Sequence, residues 1–225
     1  MTTPFGRDGV GTPTHRTGEQ FLADPVRGLG VGSALLGLVV LMAAFVPAGP
    51  LGVDRSWSEA MSDIQTHFLT HLALLFNWLG RLPGTLVVVA IIGLLLLARR
   101  RWLALATFAV VEILAPLCSS IFKTIVGRPR PPDGLVHPVG SSFPSGHVTY
   151  AAATCVALVF LFTSPGPARR WWWTLALLGI ATMAWSRTYL QVHWLSDVVG
   201  GACLGIGVAL VGFAVAQRRG RFESA

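Results

Sequence analysis

Charge is scarce in this chain. Only 12% of its 225 residues are charged and 53% are hydrophobic, with a positive mean hydropathy, a balance that excludes an ordinary soluble globule. Cysteine is equally sparse: Cys118, Cys155 and Cys203 are odd in number, lie within apolar runs and lack metal-ligand spacing. They exclude a disulfide framework and read as small core residues. There is no Gly-rich Walker loop for a nucleotide and no Asp/Glu cluster to cage magnesium. No metal or cofactor is therefore expected. Lysine is nearly absent, with Lys123 alone among seventeen basic residues. The net charge of +7 comes from short clusters between apolar runs, without the interleaved aromatics of a nucleic-acid surface, so no nucleic-acid partner is expected.

What the chain does have is long apolar runs. Six are long enough to cross a bilayer once interfacial residues are counted: Leu29–Val46, Leu82–Ala98, Trp102–Phe122, Val148–Phe162, Trp171–Trp185 and Leu195–Ala216. The expected architecture is an all-α membrane protein, a six-transmembrane helix bundle over residues 28–217. A disordered cytoplasmic tail is expected over 1–27 and a basic one over 218–225. The first run exceeds a signal-peptide core and reads as a retained anchor. With the N-terminus inside, eleven arginines fall in inner segments and six basic residues in outer ones, which places both termini in the cytoplasm.

Between the first two runs, Trp57, Met61, Ile64, Phe68, Leu72, Leu75 and Leu79 recur at steps of three and four, with Asp54, Glu59 and Asp63 off that stripe. This predicts one amphipathic helix, lying on the outer membrane face or packed on the bundle. Gly201, Gly205 and Ala209 recur at four-residue steps in the last run, a pattern for close internal packing.

Three polar stretches then fall at the outer ends of helices. Lys123 to Pro132 contains Gly-Arg-Pro-Arg-Pro-Pro, whose prolines stiffen the loop carrying Arg128 and Arg130. Phe143-Pro-Ser-Gly-His147 puts Ser145 and Gly146 at a helix start, where free backbone N–H groups make an anion site, with His147 one turn away. Ser186 to Asp197 holds Arg187, a planar fork for phosphate oxygens, and His193 and Asp197 four residues apart on one helical face. The carboxylate can keep one ring nitrogen protonated and leave the other free to attack. These groups suit phosphoryl transfer in which cations replace a metal, one imidazole attacking and the other serving as acid and base.

Lys123 with Arg130-Pro131, Pro144-Ser-Gly-His147, and Ser186-Arg187 with His193 and Asp197 resemble the three-part signature of the type 2 phosphatidic acid phosphatase superfamily. That superfamily includes lipid phosphatases, class A acid phosphatases and vanadium haloperoxidases. The resemblance spans about a third of the chain. It implies that Lys123, Arg130 and Arg187 bind phosphate oxygens beside Ser145 and Gly146. It further implies that His193 forms a phosphohistidine, oriented by Asp197, and that His147 protonates the leaving group and activates water. Arg128 lies outside the strict pattern and is assigned electrostatic support.

Six crossings with an outer-face site look like the membrane-bound lipid phosphatases, here in a bacterial plasma membrane with an extracytoplasmic active site. Expected partners are the bilayer and a lipid phosphate of polyprenyl diphosphate, phosphatidic acid or phosphatidylglycerophosphate type. A lipid-linked phosphotransferase, or a non-catalytic headgroup binder or transporter, would use the same cations. Glu112, mid-membrane and three turns below Lys123 on nearly the same face, is expected to face the bundle interior in a structural or substrate role.

Overall fold

A computed structural model describes residues 24–46 and 48–218. The described residues form eight helices and no strands: α1 (Pro25–Phe45), α2 (Gly52–Asp63), α3 (His67–Leu79), α4 (Leu82–Ala98), α5 (Trp102–Val126), α6 (Gly146–Phe162), α7 (Arg169–Tyr189) and α8 (Leu195–Arg218). Pro25 to Arg27 are helical, begun by Pro25 at the first turn and by Asp24, whose carboxylate accepts from the Val26 N–H. The expected tails over 1–23 and 219–225 lie outside the described residues.

All six expected runs are helical. Three of the helices, α1, α5 and α8, are long and apolar enough to cross a bilayer, and α3 with α4, bent by 62° at their junction, would together make a fourth. The expected count of six does not follow from length and composition, because α6 has 17 residues and α7 carries Arg169, Arg170 and Arg187 among its 21. Long apolar side chains such as Leu41, Leu94, Ile113 and Leu178 point outward, which in a helical bundle marks a lipid-facing wall. The chain is an integral membrane protein.

α8 is the central helix. It packs on α1 where Gly32 meets Gly207: a Cβ on Gly32 would lie 2.9 Å from Val211 Cγ2, and one on Gly207 2.9 Å from Leu36. Gly201 and Gly205 face α6 and the residue that caps it. A Cβ on Gly201 would stand 2.6 Å from the Ser145 carbonyl oxygen and one on Gly205 2.8 Å from Ala152 Cβ. The Gly201, Gly205, Ala209 stripe therefore serves internal packing, as its spacing predicts. The core around Phe108, Phe160, Leu161 and Phe213 fills the end away from the polar stretches, with Phe160 stacked on Phe213 at 5.1 Å. The three cysteines are free and half-buried.

The single amphipathic helix expected between the first two runs is two helices. The chain breaks at Ile64–Thr66, where Thr66 caps α3 by accepting from the Leu69 N–H. The Tyr189 hydroxyl holds the break, accepting from the Thr66 N–H at 2.8 Å and lying 3.1 Å from the Thr66 carbonyl. The apolar stripe is split accordingly: Met61 is buried while Phe68 and Leu75 are exposed. Asp54, expected on the polar side, is fully buried.

Candidate active site

The first polar stretch leaves α5 at Gly127, which adopts φ +63°, a left-handed turn that a side chain would strain. The turn folds residues 128–142 back over the helix end. Ser142 N–H donates to the Arg128 carbonyl at 2.8 Å. Lys123 Nζ donates to Ser141 O at 2.8 Å, and Arg130 donates to Gly140 O, Ser141 O and, through Nη1, Val192 O at 2.7 Å. Main-chain oxygens thus position both cations while bringing no compensating negative charge.

The second stretch docks on the third. Ser145 N–H donates to the Asp197 carbonyl at 3.0 Å. The fit depends on missing side chains in α8: Cβ atoms on Gly200 and Gly201 would lie 2.6 Å from Phe143 and from Ser145 O. Ser145 is the N-cap residue of α6, but its side chain makes no capping bond and Oγ is buried without a partner. The first N–H groups of α6 therefore lack intrahelical acceptors, at the positive end of the helix dipole.

In the third stretch, Arg187 occupies the last turn of α7, His193 the connection, and Asp197 the first turn of α8. The turn between the helices is held open by Gln191, which sits at φ +53°. Its amide nitrogen donates to Ser58 O at 2.8 Å and Ser62 Oγ at 3.2 Å. So α2 is attached to the turn that presents His193.

The tautomer of His193 follows from its neighbours. Arg130 Nη1, 3.1 Å from Nε2, can only donate. Nε2 is therefore the acceptor with the lone pair, and Nδ1 carries the proton, facing Asp197 Oδ2 at 3.5 Å. The hydrogen bond expected from a shared helical face is not made: His193 precedes the first residue of α8, its Nδ1 is buried without a hydrogen-bond partner, and Oδ2 accepts from the Trp194 N–H at 2.9 Å. Burial, then the charges of Arg130, Lys123 and Arg187 and the His147 ring, hold His193 well below the usual imidazole range and keep it neutral. Burial also lowers the Arg130 guanidinium from its ordinary value, and Asp197 opposes that shift.

Arg128, expected to lend electrostatic support to the phosphate, is directed elsewhere. It is 1% exposed between two fully buried carboxylates, donating at 2.8 Å to Asp54 Oδ2 and at 2.7 Å to Asp197 Oδ1. Its remaining bonds go to Ser196 Oγ and Gly49 O. Asp54 also accepts from the Ser196 N–H and hydroxyl, both at 2.9 Å. The charge that supports the aiming carboxylate is thus itself anchored to α2.

Two site residues escape a reading of the motifs. Asp54 gives no sequence signal, since an acid on an amphipathic helix reads as solvated. Asn77 gives a faint one, an amide inside the apolar run Leu72–Leu79. It is buried, its Oδ1 accepts from Arg187 Nη1 at 2.6 Å, and its carbonyl oxygen lies 3.2 Å from His147 Nε2. A carbonyl can only accept, so His147 carries its proton on Nε2. The His147 ring also closes on Gly80, where a Cβ would lie 2.8 Å from Cγ.

Lys123, Arg130, Arg187, Ser145, Gly146, His147, His193 and Asp197 therefore converge on one end of the bundle. Arg101, from the α4–α5 turn, bonds the Leu161 carbonyl at the opposite end of α6. Residues 102–221 match the PAP2 superfamily, a span of more than half the chain. The chain belongs to the PAP2 superfamily.

The relatives agree with that membership. The chain is 31% identical over 166 residues to the decaprenylphosphoryl-5-phosphoribose phosphatase of Mycobacterium tuberculosis, covering 71% of this chain and 81% of that protein. It is 28% identical over 144 residues to an undecaprenyl-diphosphatase of Sulfolobus acidocaldarius, covering 61% and 67%. The crystal structure of a transmembrane PAP2-type phosphatidylglycerolphosphate phosphatase from Bacillus subtilis superposes with a TM-score of 0.69 at 25% identity, covering 89% of this chain and 99% of that one. This PAP2 member is a membrane phosphatase by family, and its three motifs are those that the fold brings together. Among the described residues, no group of three His, Cys, Asp or Glu side chains is placed to hold a metal ion.

Proposed function

We propose that this protein hydrolyses a lipid phosphate or lipid diphosphate, without a metal ion, through a phosphohistidine on His193. The observation that carries the reading is the setting of His193: its Nε2 lies 3.1 Å from Arg130 Nη1, which can only donate, and its Nδ1 lies 3.5 Å from Asp197 Oδ2. In the first step Nε2 attacks phosphorus while the ester P–O bond breaks. Lys123, Arg130, Arg187 and the N-terminus of α6 stabilise the charge on the equatorial oxygens. His147, entering the cycle with both ring nitrogens protonated, gives its Nε2 proton to the leaving oxygen and becomes neutral, and Asp197 stabilises the resulting positive ring of His193. His147 then takes a proton from water, which attacks phosphorus, and phosphate departs with neutral His193 restored.

We place the site on the extracytoplasmic face with six passes and both termini in the cytoplasm. Support comes from the arginine clusters at 99–101 and 169–170, which cap the other end of the bundle. The α3–α4 pair would supply the second pass in bent form. The same first half-reaction would serve a phosphotransferase, whereas a headgroup binder would need neither the His193–Asp197 pairing nor His147.

Purified protein in detergent, given radiolabelled lipid phosphate with excess chelator, is expected to release phosphate and to yield an acid-labile label that His193→Ala lacks. Full activity in His193→Ala, or loss of activity to the chelator, would overturn the mechanism. Transfer of label to an added alcohol in preference to water would reassign the protein as a phosphotransferase.

A further inference from the structure

A cleft of about 560 Å³ descends from the phosphate site between α4, α5 and α6. Its walls are largely apolar, as a lipid chain requires, with Leu86, Val89 and Ile113 among them. A polar line nevertheless runs down it. Lys123, Ser119 and Glu112 succeed one another on α5, with His147 and Tyr150 across from them on α6. At about 1.5 Å per residue, Ser119 lies ~6 Å and Glu112 ~16 Å below Lys123 along the helix. A chain made only of hydrocarbon has nothing to offer these groups.

Two of them have unmet hydrogen-bonding capacity. Glu112 is 8% exposed; its Oε1 accepts from the Thr154 hydroxyl at 2.9 Å, and its Oε2 is buried without a partner. Ser119 is 2% exposed and its Oγ is likewise unpartnered. Pro116, within α5, has no N–H to donate to the Glu112 carbonyl four residues earlier. The neighbourhood of Glu112 therefore presents a carboxyl oxygen and a main-chain acceptor at one level, with a hydroxyl above. Buried polar groups are normally satisfied. An acceptor-only carbonyl calls for a donor, which a hydroxyl has and an ester oxygen lacks.

Resting on the phosphatase reading, we infer that this cleft is a hydroxyl-recognition subsite. It selects lipid phosphates whose alcohol portion carries free hydroxyls, on a sugar or on an acyl chain, over those with bare prenyl or plain acyl chains. Glu112 and Ser119 make the recognising bonds, and the apolar wall between α4 and α5 takes the remaining chain. A site built to bond a hydroxyl discriminates strongly against the analogue without it, because its own polar groups are then left unpaired.

The test compares matched pairs with the full-length protein in detergent: a diacyl phosphatidic acid against its hydroxyacyl counterpart, and a prenyl phosphate against a prenyl-linked sugar phosphate. The hydroxylated member of at least one pair is expected to have at least about tenfold higher kcat/KM, and the pair showing it identifies the source of the hydroxyl. In Ser119→Ala and Glu112→Ala the preference should shrink at least about fivefold. The same pairs are ranked by ligand-induced thermal stabilisation of His193→Ala, which reads the subsite without turnover. No preference in either assay, or a preference unchanged in both cleft variants, would overturn the subsite. Absence of turnover with a binding preference retained would overturn the phosphatase reading alone.

Discussion

Replacing Arg128 with methionine keeps much of the side chain's bulk and removes its charge, leaving Asp54 and Asp197 both fully buried with no cation between them. Breaking a buried ion pair by deleting one partner costs about 3–5 kcal/mol. At roughly 2–4 °C per kcal/mol for a chain of this size, the melting temperature should fall by roughly 6–20 °C. Asp54→Asn should cost less, because Arg128 then faces one carboxylate and the network holds one charge of each sign. Adding Asp54→Asn to Arg128→Met should accordingly recover part of the loss. Arg128→Lys should not rescue, since one ammonium lacks the two-pronged fork that reaches Asp54 and Asp197 together.

Catalysis should decline with stability, and in a particular way. The Arg128 guanidinium bonds to Asp54, Asp197, Ser196 and Gly49, so its loss should lower kcat by misaiming His193, on the order of a hundredfold for a displacement of about 1 Å. KM should stay within about threefold. The assays are scanning fluorimetry and phosphate release in detergent. A melting temperature within about 2 °C of wild type for Arg128→Met, or a larger loss for Asp54→Asn than for Arg128→Met, would refute the reasoning.

Two other outcomes are expected. The folded protein disfavours protonated His193 relative to an ordinary histidine at 6.5, whereas the unfolded chain takes up that proton near the ordinary value. Protonation therefore opposes folding, and this contribution to stability is lost as pH falls below about 6.5. The His193 resonance of labelled protein should stay at its neutral position from pH 8 to 6.5, and a midpoint at or above 6.5 would contradict the assignment. Asn77→Asp replaces the neutral acceptor on Arg187 with a carboxylate that competes with phosphate for the same fork. Such a charge-assisted bond is about twice as strong, and KM should rise about tenfold; an unchanged KM would show that Arg187 does not meet the substrate.

Much of the fold was legible because helical periodicity and bilayer thickness act locally. The run Leu82–Ala98 begins and ends where α4 does, and the small-residue stripe of α8 faces α6 as its spacing demands. The single helix over 57–79 failed because its stripe continues unbroken in sequence while Tyr189, more than a hundred residues away, bonds the chain at Thr66 and breaks it. The number of passes failed to follow from composition because α6 has only 17 residues and α7 carries arginines at both ends, of which Arg187 alone belongs to the site.

The sequence by itself determined which chemistry this protein carries. The spacings Lys123 to Arg130 and His193 to Asp197, and the helix start at Ser145, lie within a few helical turns or one loop, where chain geometry brings groups to one neighbourhood without deciding the bonds between them. Tertiary structure decided what holds those groups to their task. Asp54 meets Arg128 and Ser196, and Asn77 meets Arg187, across 74, 142 and 110 residues. An isolated aspartate or asparagine reads as solvated until distant helices exclude water from it, and only then does its hydrogen bond acquire the strength to position a catalytic group.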